Sequence, residues 1–300
     1  MKLTEAQLDR AAGVLLGTAA GDALGAGYEF TYPAPDVEID MVGGGPFDWA
    51  PGEWTDDTSM AVAVALAGAE TGELHTRTGL DAVARRFVQW YDTDPPDIGN
   101  QTRAVLSQRP PTSRAMHAAA HELGGLKAGN GSLMRTAPVP LLYLDDAELC
   151  ATAARLVSAL THYDQQAMEA CEIWSLAIRQ AVLHGTYDGL AARVSPDFWA
   201  PLLGQAEHGS PADFPKNGWV VHALQTAWWA ITHADTLAAA LELAVRAGND
   251  TDTTAAIAGG LLGARWGASA VPAAWRAKLH GYPGRTGEDL VTLAHQLTSR

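Results

Sequence analysis

The chain has 300 residues and a formal net charge of −14, from 34 acidic against 20 basic side chains. No basic stripe exists to displace counterions from a phosphate backbone, so the charge balance disfavours nucleic acid as a partner and favours cations. Two cysteines, Cys150 and Cys171, are too few for a disulfide framework and lack metal-ligand spacing, which suits reduced thiols in a cytoplasmic protein.

In chain order, Thr4 and Gln7 fit a capping box at the head of an apolar, helix-periodic stretch over 5–25. Asp9, Arg10 and Asp22 interrupt that stretch, and it lacks a basic leader and a cleavage site, so it reads neither as a signal peptide nor as a membrane span. Residues 28–52 are rich in Pro and Gly and predict a surface excursion. Helical spacing returns over 58–71, 78–91, 115–124, 146–159 and 164–184. A second Pro/Gly-rich segment, 185–216, reads as a lid or a variable loop. Further helical stretches cover 217–231, 235–247, 253–266 and 287–298. Few runs alternate with period two and β-branched clusters are scarce, so the expected fold is all-α. No linker divides the chain, which predicts one large domain over 1–300 rather than two.

Gly13, Gly17, Gly21 and Gly25 fall four apart, as do Gly259, Gly263 and Gly267. Each glycine inside a helix costs about 1 kcal/mol against alanine. Such stripes predict that another backbone approaches closely along that face, the plainer alternative being ordinary packing of small residues.

Two acidic knots carry the chemistry. GEWTDDTSMA, residues 52–61, sets Asp56 and Asp57 between Thr55 and Thr58, and GNDTDTTAAIAGG, residues 248–260, sets Asp250 and Asp252 beside Thr251 and Thr253. Adjacent carboxylates repel and need solvent, a helix N-terminus or a cation. One knot alone would read as helix capping, for which Asp and Thr are preferred. Two knots with doubled acids instead make a hard-oxygen donor set suited to two Mg²⁺ or Mn²⁺ ions rather than zinc.

Three shorter features are weaker. Asp22 and Glu29 bracket a Gly-rich turn, and Glu29 could reach a cation or a water, although an isolated glutamate is commonly a solvated surface group. Gly129, Gly131 and Ser132 precede a helical-looking stretch, where backbone N–H groups could approach a phosphate, although Gly-Asn-Gly is commonly a plain turn. His162 sits just ahead of a helix, a position at which a lone histidine is usually structural.

Taken in order, GTAAGDALGAGYEF, GEWTDDTSMA, IGNQTR, AGNGSLMRTAPV, THYDQQAMEAC and AGNDTDTTAAIAGGLLGARWG resemble the ADP-ribosylglycohydrolase family over about residues 10 to 280. Within it the likeness is strongest to the bacterial dinitrogenase reductase type, which removes ADP-ribose from an arginine. The resemblance implies a compact orthogonal multi-helix bundle with a dinuclear Mg²⁺ or Mn²⁺ site in a central cleft. It implies metal ligation by Thr55, Asp56, Asp57, Asp250, Asp252 and Thr253, with Glu29 nearby. It further implies that Gly129, Asn130, Gly131 and Ser132 lie along a diphosphate, that His162 lines the ADP-ribose pocket and that Trp219 lies against adenine. Two departures stand out: Asn249 replaces the second glycine of the usual Gly-Gly-Asp-Thr-Asp-Thr, and Gly27 stands where many members have proline. Neither removes a ligand.

The implied activity is hydrolysis of the N-glycosidic bond to arginine in mono-ADP-ribosylated proteins, with Glu29 or one of Asp56, Asp57 and Asp252 orienting the water. The stretch PPDIGNQTR, residues 95–103, would place Asp97 and Asn100 at the mouth of the cleft, where a carboxylate can grip a guanidinium, the plainer reading being that Asp97 caps a turn after Pro95 and Pro96. Hydrolysis of serine-linked, nucleobase-linked or small-molecule conjugates is the alternative chemistry. A catalytically silent ADP-ribose binder and a purely structural helical protein are the remaining readings.

Overall fold

A computed structural model describes residues 2–299. Its helices run α1 Glu5–Gly25, α2 Asp56–Thr71, α3 Arg77–Tyr91, α4 Asn100–Leu106, α5 Ser113–Glu122, α6 Ala147–Ala159, α7 Gln165–His184, α8 Trp199–His208, α9 Val220–Thr232, α10 Leu237–Arg246, α11 Thr251–Trp266, α12 Ala273–Lys278 and α13 Gly287–Thr298. The only named strands among the described residues are β1 His280–Gly281 and β2 Arg285–Thr286, a short antiparallel pair. The all-α expectation therefore holds.

Glycine decides how the centre is built. Helix α1 is buried on every side from Ala11 to Gly25, and α11 from Thr251 to Ala264. A Cβ on Gly13, Gly17 or Gly21 would collide with the carbonyl oxygen of Gly263, Gly259 or Ala255, and one on Gly25 would stand 2.5 Å from Asp252 Cα. Rising numbers on α1 thus meet falling numbers on α11: the two helices lie antiparallel, backbone against backbone, with no room for side chains between them. The remaining helices pack around this pair. Helix α13 lies on α1 and α2, α7 joins α11 to α6, and α9 and α10 cover α11. Thr4 and Gln7 form the expected capping box at the start of α1.

Three helices were hidden in the sequence. Helices α4 and α12 have seven and six residues, too few to display a period. Helix α8 falls within the segment expected to be a lid or loop, and it is instead a packed layer. Trp199 and Leu203 are buried, α8 lies on α9, and Trp199 Nε1 donates to Glu169 at 2.9 Å. Pro201 occupies its first turn, where no backbone N–H is needed. Both cysteines are free and buried.

Candidate functional site

The antiparallel pairing brings the C-terminal end of α1 beside the N-terminal end of α11, and α2 begins next to both. Helix α1 delivers Asp22 and, through a short 3₁₀ turn, Glu29; α2 delivers Thr55, Asp56 and Asp57; α11 delivers Asp250, Asp252 and Thr253. The two knots therefore form one site.

The acids of the two knots are not spent on capping. Thr55, not an aspartate, is the N-cap of α2, and Asp22 reaches across to accept from the backbone N–H groups of Thr55 at 3.0 Å and Thr58 at 2.9 Å. Asp250 stands at the N-cap of α11, yet its side chain makes no capping bond. It accepts instead from Asn130 Nδ2 at 2.7 Å. Thr55 Oγ1 and Thr253 Oγ1 both donate to Asp57 Oδ2, at 3.1 and 3.3 Å.

Carboxylate oxygens of Asp22, Asp57 and Asp252 lie within 4.8 Å of one another, and so do those of Glu29, Asp97 and Asp252. Asp252 belongs to both groups. Asp56 and Asp250 line the same cleft just outside these two triplets. Burial first, then mutual repulsion, raises the carboxyls of Asp56, Asp57 and Asp252 well above the usual range and takes Glu29 to about 9. Burial also raises Asp22 and Asp97 to about 6.

Three carboxylate oxygens, Glu29 Oε2, Asp57 Oδ1 and Asp252 Oδ1, are buried without a hydrogen-bond partner. Such orphaned acceptors are costly unless something satisfies them. A hard divalent cation would satisfy them and remove the repulsion, and the donors are all oxygen, so the residues fit Mg²⁺ or Mn²⁺. Asp22 went unassigned from sequence. Its signal was an acid inside an otherwise apolar, glycine-striped helix.

The same cleft, about 1590 Å³ in volume, is also lined by Asn100, Gly129, Asn130, Gly131, His162 and Trp219. Asp97 lines the cleft, half-buried within the acidic cluster. Asn100 is exposed at the start of α4. Residues 130–132 form a 3₁₀ turn with no α-helix following, so an anion site at a helix N-terminus is not what this loop provides. It is sewn to the segment before α9: Asn130 N–H donates to Gly218 O at 3.1 Å, Val220 N–H to Ala128 O at 2.9 Å, and Asn130 Nδ2 to Asn217 O at 2.8 Å.

The glycines here make room for a ring. A Cβ on Gly131 would stand 3.0 Å from His162 Cε1, and one on Gly129 3.3 Å from His162 Nε2. Ser132 is buried behind the loop and accepts from Ser158 Oγ at 2.9 Å, which leaves it supporting the turn from below. Trp219 Nε1 donates to Gln166 Oε1 at 2.9 Å, and its ring centroid lies 4.8 Å from that of His222.

Asn249, the departure beside the second knot, has φ of 59°, a left-handed conformation that Asn tolerates better than most residues. Its backbone bridges to Thr31, tying the Glu29 segment to the start of α11.

A helical fold of this kind, with an acidic cluster at the meeting of α1, α2 and α11, defines a known class. The model of the ADP-ribosylglycohydrolase family matches residues 3–300, and the chain belongs to that family. It is similar to the ADP-ribosylarginine hydrolase Tri1 of Pseudomonas putida, with 33% identity over 287 residues that cover 92% of this chain and 75% of the relative. It is also similar to the ADP-ribosyl-[dinitrogen reductase] glycohydrolase of Rhodospirillum rubrum, with 30% identity covering 90% of each chain. A solved structure described as an ADP-ribosylglycohydrolase-related protein complex superposes with a TM-score of 0.82 at 32% identity, over 98% of this chain and 99% of that one. The Pseudomonas putida and Rhodospirillum rubrum relatives are named as enzymes. No helix among the described residues is long and apolar enough to cross a membrane.

Proposed function

We propose that the protein is a divalent-cation-dependent hydrolase that releases ADP-ribose from mono-ADP-ribosylated arginine. The observation that carries this reading is the convergence of Glu29, Asp97 and Asp252 at one wall of a cleft also lined by Asn130 and His162, with buried Asp22 and Asp57 beside Asp252. Two Mg²⁺ or Mn²⁺ ions bound there would neutralise the carboxylates and grip hydroxyls of the terminal ribose.

The chain's own groups have separable tasks. Asp57 is held by Thr55 and Thr253, and Asp250 by Asn130, so the ligand oxygens are fixed before substrate arrives. Glu29 presents its unpartnered Oε2 and orients the water that attacks the anomeric carbon. As the C–N bond breaks, positive charge develops at the ring, where buried carboxylates stabilise it. Asp97 accepts hydrogen bonds from the departing guanidinium. Gly129, Asn130, Gly131 and His162 place the diphosphate and inner sugar, and Trp219 offers a ring for the adenine.

Arginine is favoured over serine because Asp97 has a use only for a cationic leaving group, and because two of the relatives named above carry arginine or dinitrogen reductase in their names. Comparing release of ADP-ribose from arginine-linked, serine-linked and nucleobase-linked conjugates tests the assignment. Arginine should be the best substrate. Faster cleavage of the serine conjugate would remove arginine and leave a hydrolase of another linkage.

A further inference from the structure

We infer that Arg135, acting through Thr161, fixes His162 in the neutral tautomer that carries its proton on Nε2, so that the ring meets a ligand in the cleft as a hydrogen-bond donor. The part that concerns the ligand rests on the reading of the cleft as an ADP-ribose site. The tautomer does not.

Arg135 is wholly buried, and it takes part in no ion pair among the described residues. Its Cζ lies 4.5 Å from the centroid of the Phe87 ring, Nη1 donates to Met60 Sδ at 3.7 Å, and Nη2 donates to Thr161 Oγ1 at 2.7 Å and to Val157 O at 3.4 Å. A buried guanidinium without a contacting carboxylate is costly to keep, so its placement calls for a reason. The short bond to Thr161 supplies one.

A guanidinium can only donate, and Thr161 Oγ1 must therefore accept from it. The hydroxyl has one proton of its own. The other partner of Thr161 Oγ1 is His162 Nδ1, 2.8 Å away. The proton goes to that nitrogen, Nδ1 becomes an acceptor, and the ring's own proton is left on Nε2. In the opposite tautomer Nδ1–H and Arg135 would both donate to the same oxygen, and the buried hydroxyl proton would have nowhere to go. Burial and the nearby Arg135 charge also hold His162 well below its usual titration range, which keeps the ring neutral.

Nε2 has no hydrogen-bond partner among the described residues and lies at the edge of the ring that faces Gly129 and Gly131. A side chain at either glycine would cover it. Arg135 and Thr161 are thus positioning residues: neither lines the cleft, and both determine what His162 offers to an anionic or hydroxyl-bearing ligand.

The test uses full-length protein labelled with ¹⁵N at histidine, the His162 signals being identified by their loss in His162→Asn. Two-bond ¹H–¹⁵N correlation at neutral pH should show an unprotonated Nδ1 and a protonated Nε2. Thr161→Ser, which keeps the hydroxyl, should preserve that signature and the affinity for ADP-ribose. Thr161→Val should lose the single-tautomer pattern and bind ADP-ribose roughly tenfold more weakly, the effect of one lost hydrogen bond to a charged group. A wild-type His162 found as the Nδ1–H tautomer or as imidazolium overturns the inference without recourse to any variant. So does a folded Thr161→Val with unchanged spectrum and affinity. The expected wild-type tautomer in a protein that does not bind ADP-ribose would support the relay and count against the assigned ligand.

Discussion

Thr253 Oγ1 donates to Asp57 Oδ2 at 3.3 Å, joining the first turn of α11 to the first turn of α2 across 196 residues of sequence. This bond spans the two acidic knots, and Asp57 also receives Thr55 Oγ1. Two threonine hydroxyls on one oxygen leave Asp57 Oδ1 bare, with Asp22 and Asp252 beside it. The site is therefore assembled by the protein fold and left short of positive charge.

That shortage predicts cation stoichiometry. Calorimetric titration of EDTA-treated protein with Mn²⁺ or Mg²⁺ should reveal two sites per chain, and the loaded protein should melt higher because the ions bind only the folded state. Asp56→Ala combined with Asp252→Ala should fold and bind weakly. Unaltered cation binding in that double variant contradicts the acidic cluster as the site.

The raised carboxyls set a pH dependence whose sign can be worked out. Glu29 rises from 4.5 to about 9, and Asp22 and Asp97 rise from 3.8 to about 6. The folded, cation-free protein therefore holds more protons than the unfolded chain between those limits. The contribution of these groups to stability is complete below about pH 4 and is lost as pH rises through about 6 and then about 9. Denaturation in EDTA from about pH 5 to about pH 9 should show falling stability. With Mn²⁺ present, competition from protons weakens as pH rises, so the gain from the cation should grow. Equal stability gains at both ends of the range contradict this scheme.

Glycine at position 21 is predicted to be required for stability, not for chemistry alone. Helix propensity favours alanine over glycine by about 1 kcal/mol. A Cβ there collides with the Ala255 carbonyl, which is backbone and cannot swing aside. Gly21→Ala should thus destabilise, and Gly21→Leu should do so by roughly 1–3 kcal/mol or more. Urea denaturation of the cation-free proteins measures it. Wild-type stability for Gly21→Leu would mean that α1 and α11 are not in backbone contact.

Much of this was legible before the fold was known, because it lay in local spacing. The stripe from Gly13 to Gly25 declared a close helix contact, and the doubled acids at 56, 57, 250 and 252 declared a shared task. What stayed hidden depended on the partner's position. Asp22 gave no sign that it would hold the backbone of Thr55 and Thr58, since that needs α2 placed over the end of α1. The loop 129–132 suggested an anion-binding helix start, yet its glycines answer to the His162 ring, and only tertiary contact brings that ring there. Helix α8 was masked by the prolines within and around it.

Asp97 provides the test of leaving-group recognition. Its carboxylate lies within 4.8 Å of those of Glu29 and Asp252, and the proposed function gives it the departing guanidinium to hold. Asp97→Asn keeps the shape and removes the charge. Hydrolysis of ADP-ribosylarginine should fall by roughly 10²-fold or more, the scale of losing a charge-assisted contact made as the bond breaks, whereas ADP-ribose affinity should change far less. Parallel losses in both measurements contradict a specific hold on the guanidinium.

The most direct test of the central claim is release of free ADP-ribose from ADP-ribosylarginine by the EDTA-treated protein, measured before and after adding back Mg²⁺ or Mn²⁺. The account predicts no turnover in EDTA, restored turnover with either cation, and little restoration in Asp252→Asn, since Asp252 belongs to both carboxylate groups. Full turnover in EDTA, or none under any condition with ADP-ribose still bound, would contradict it.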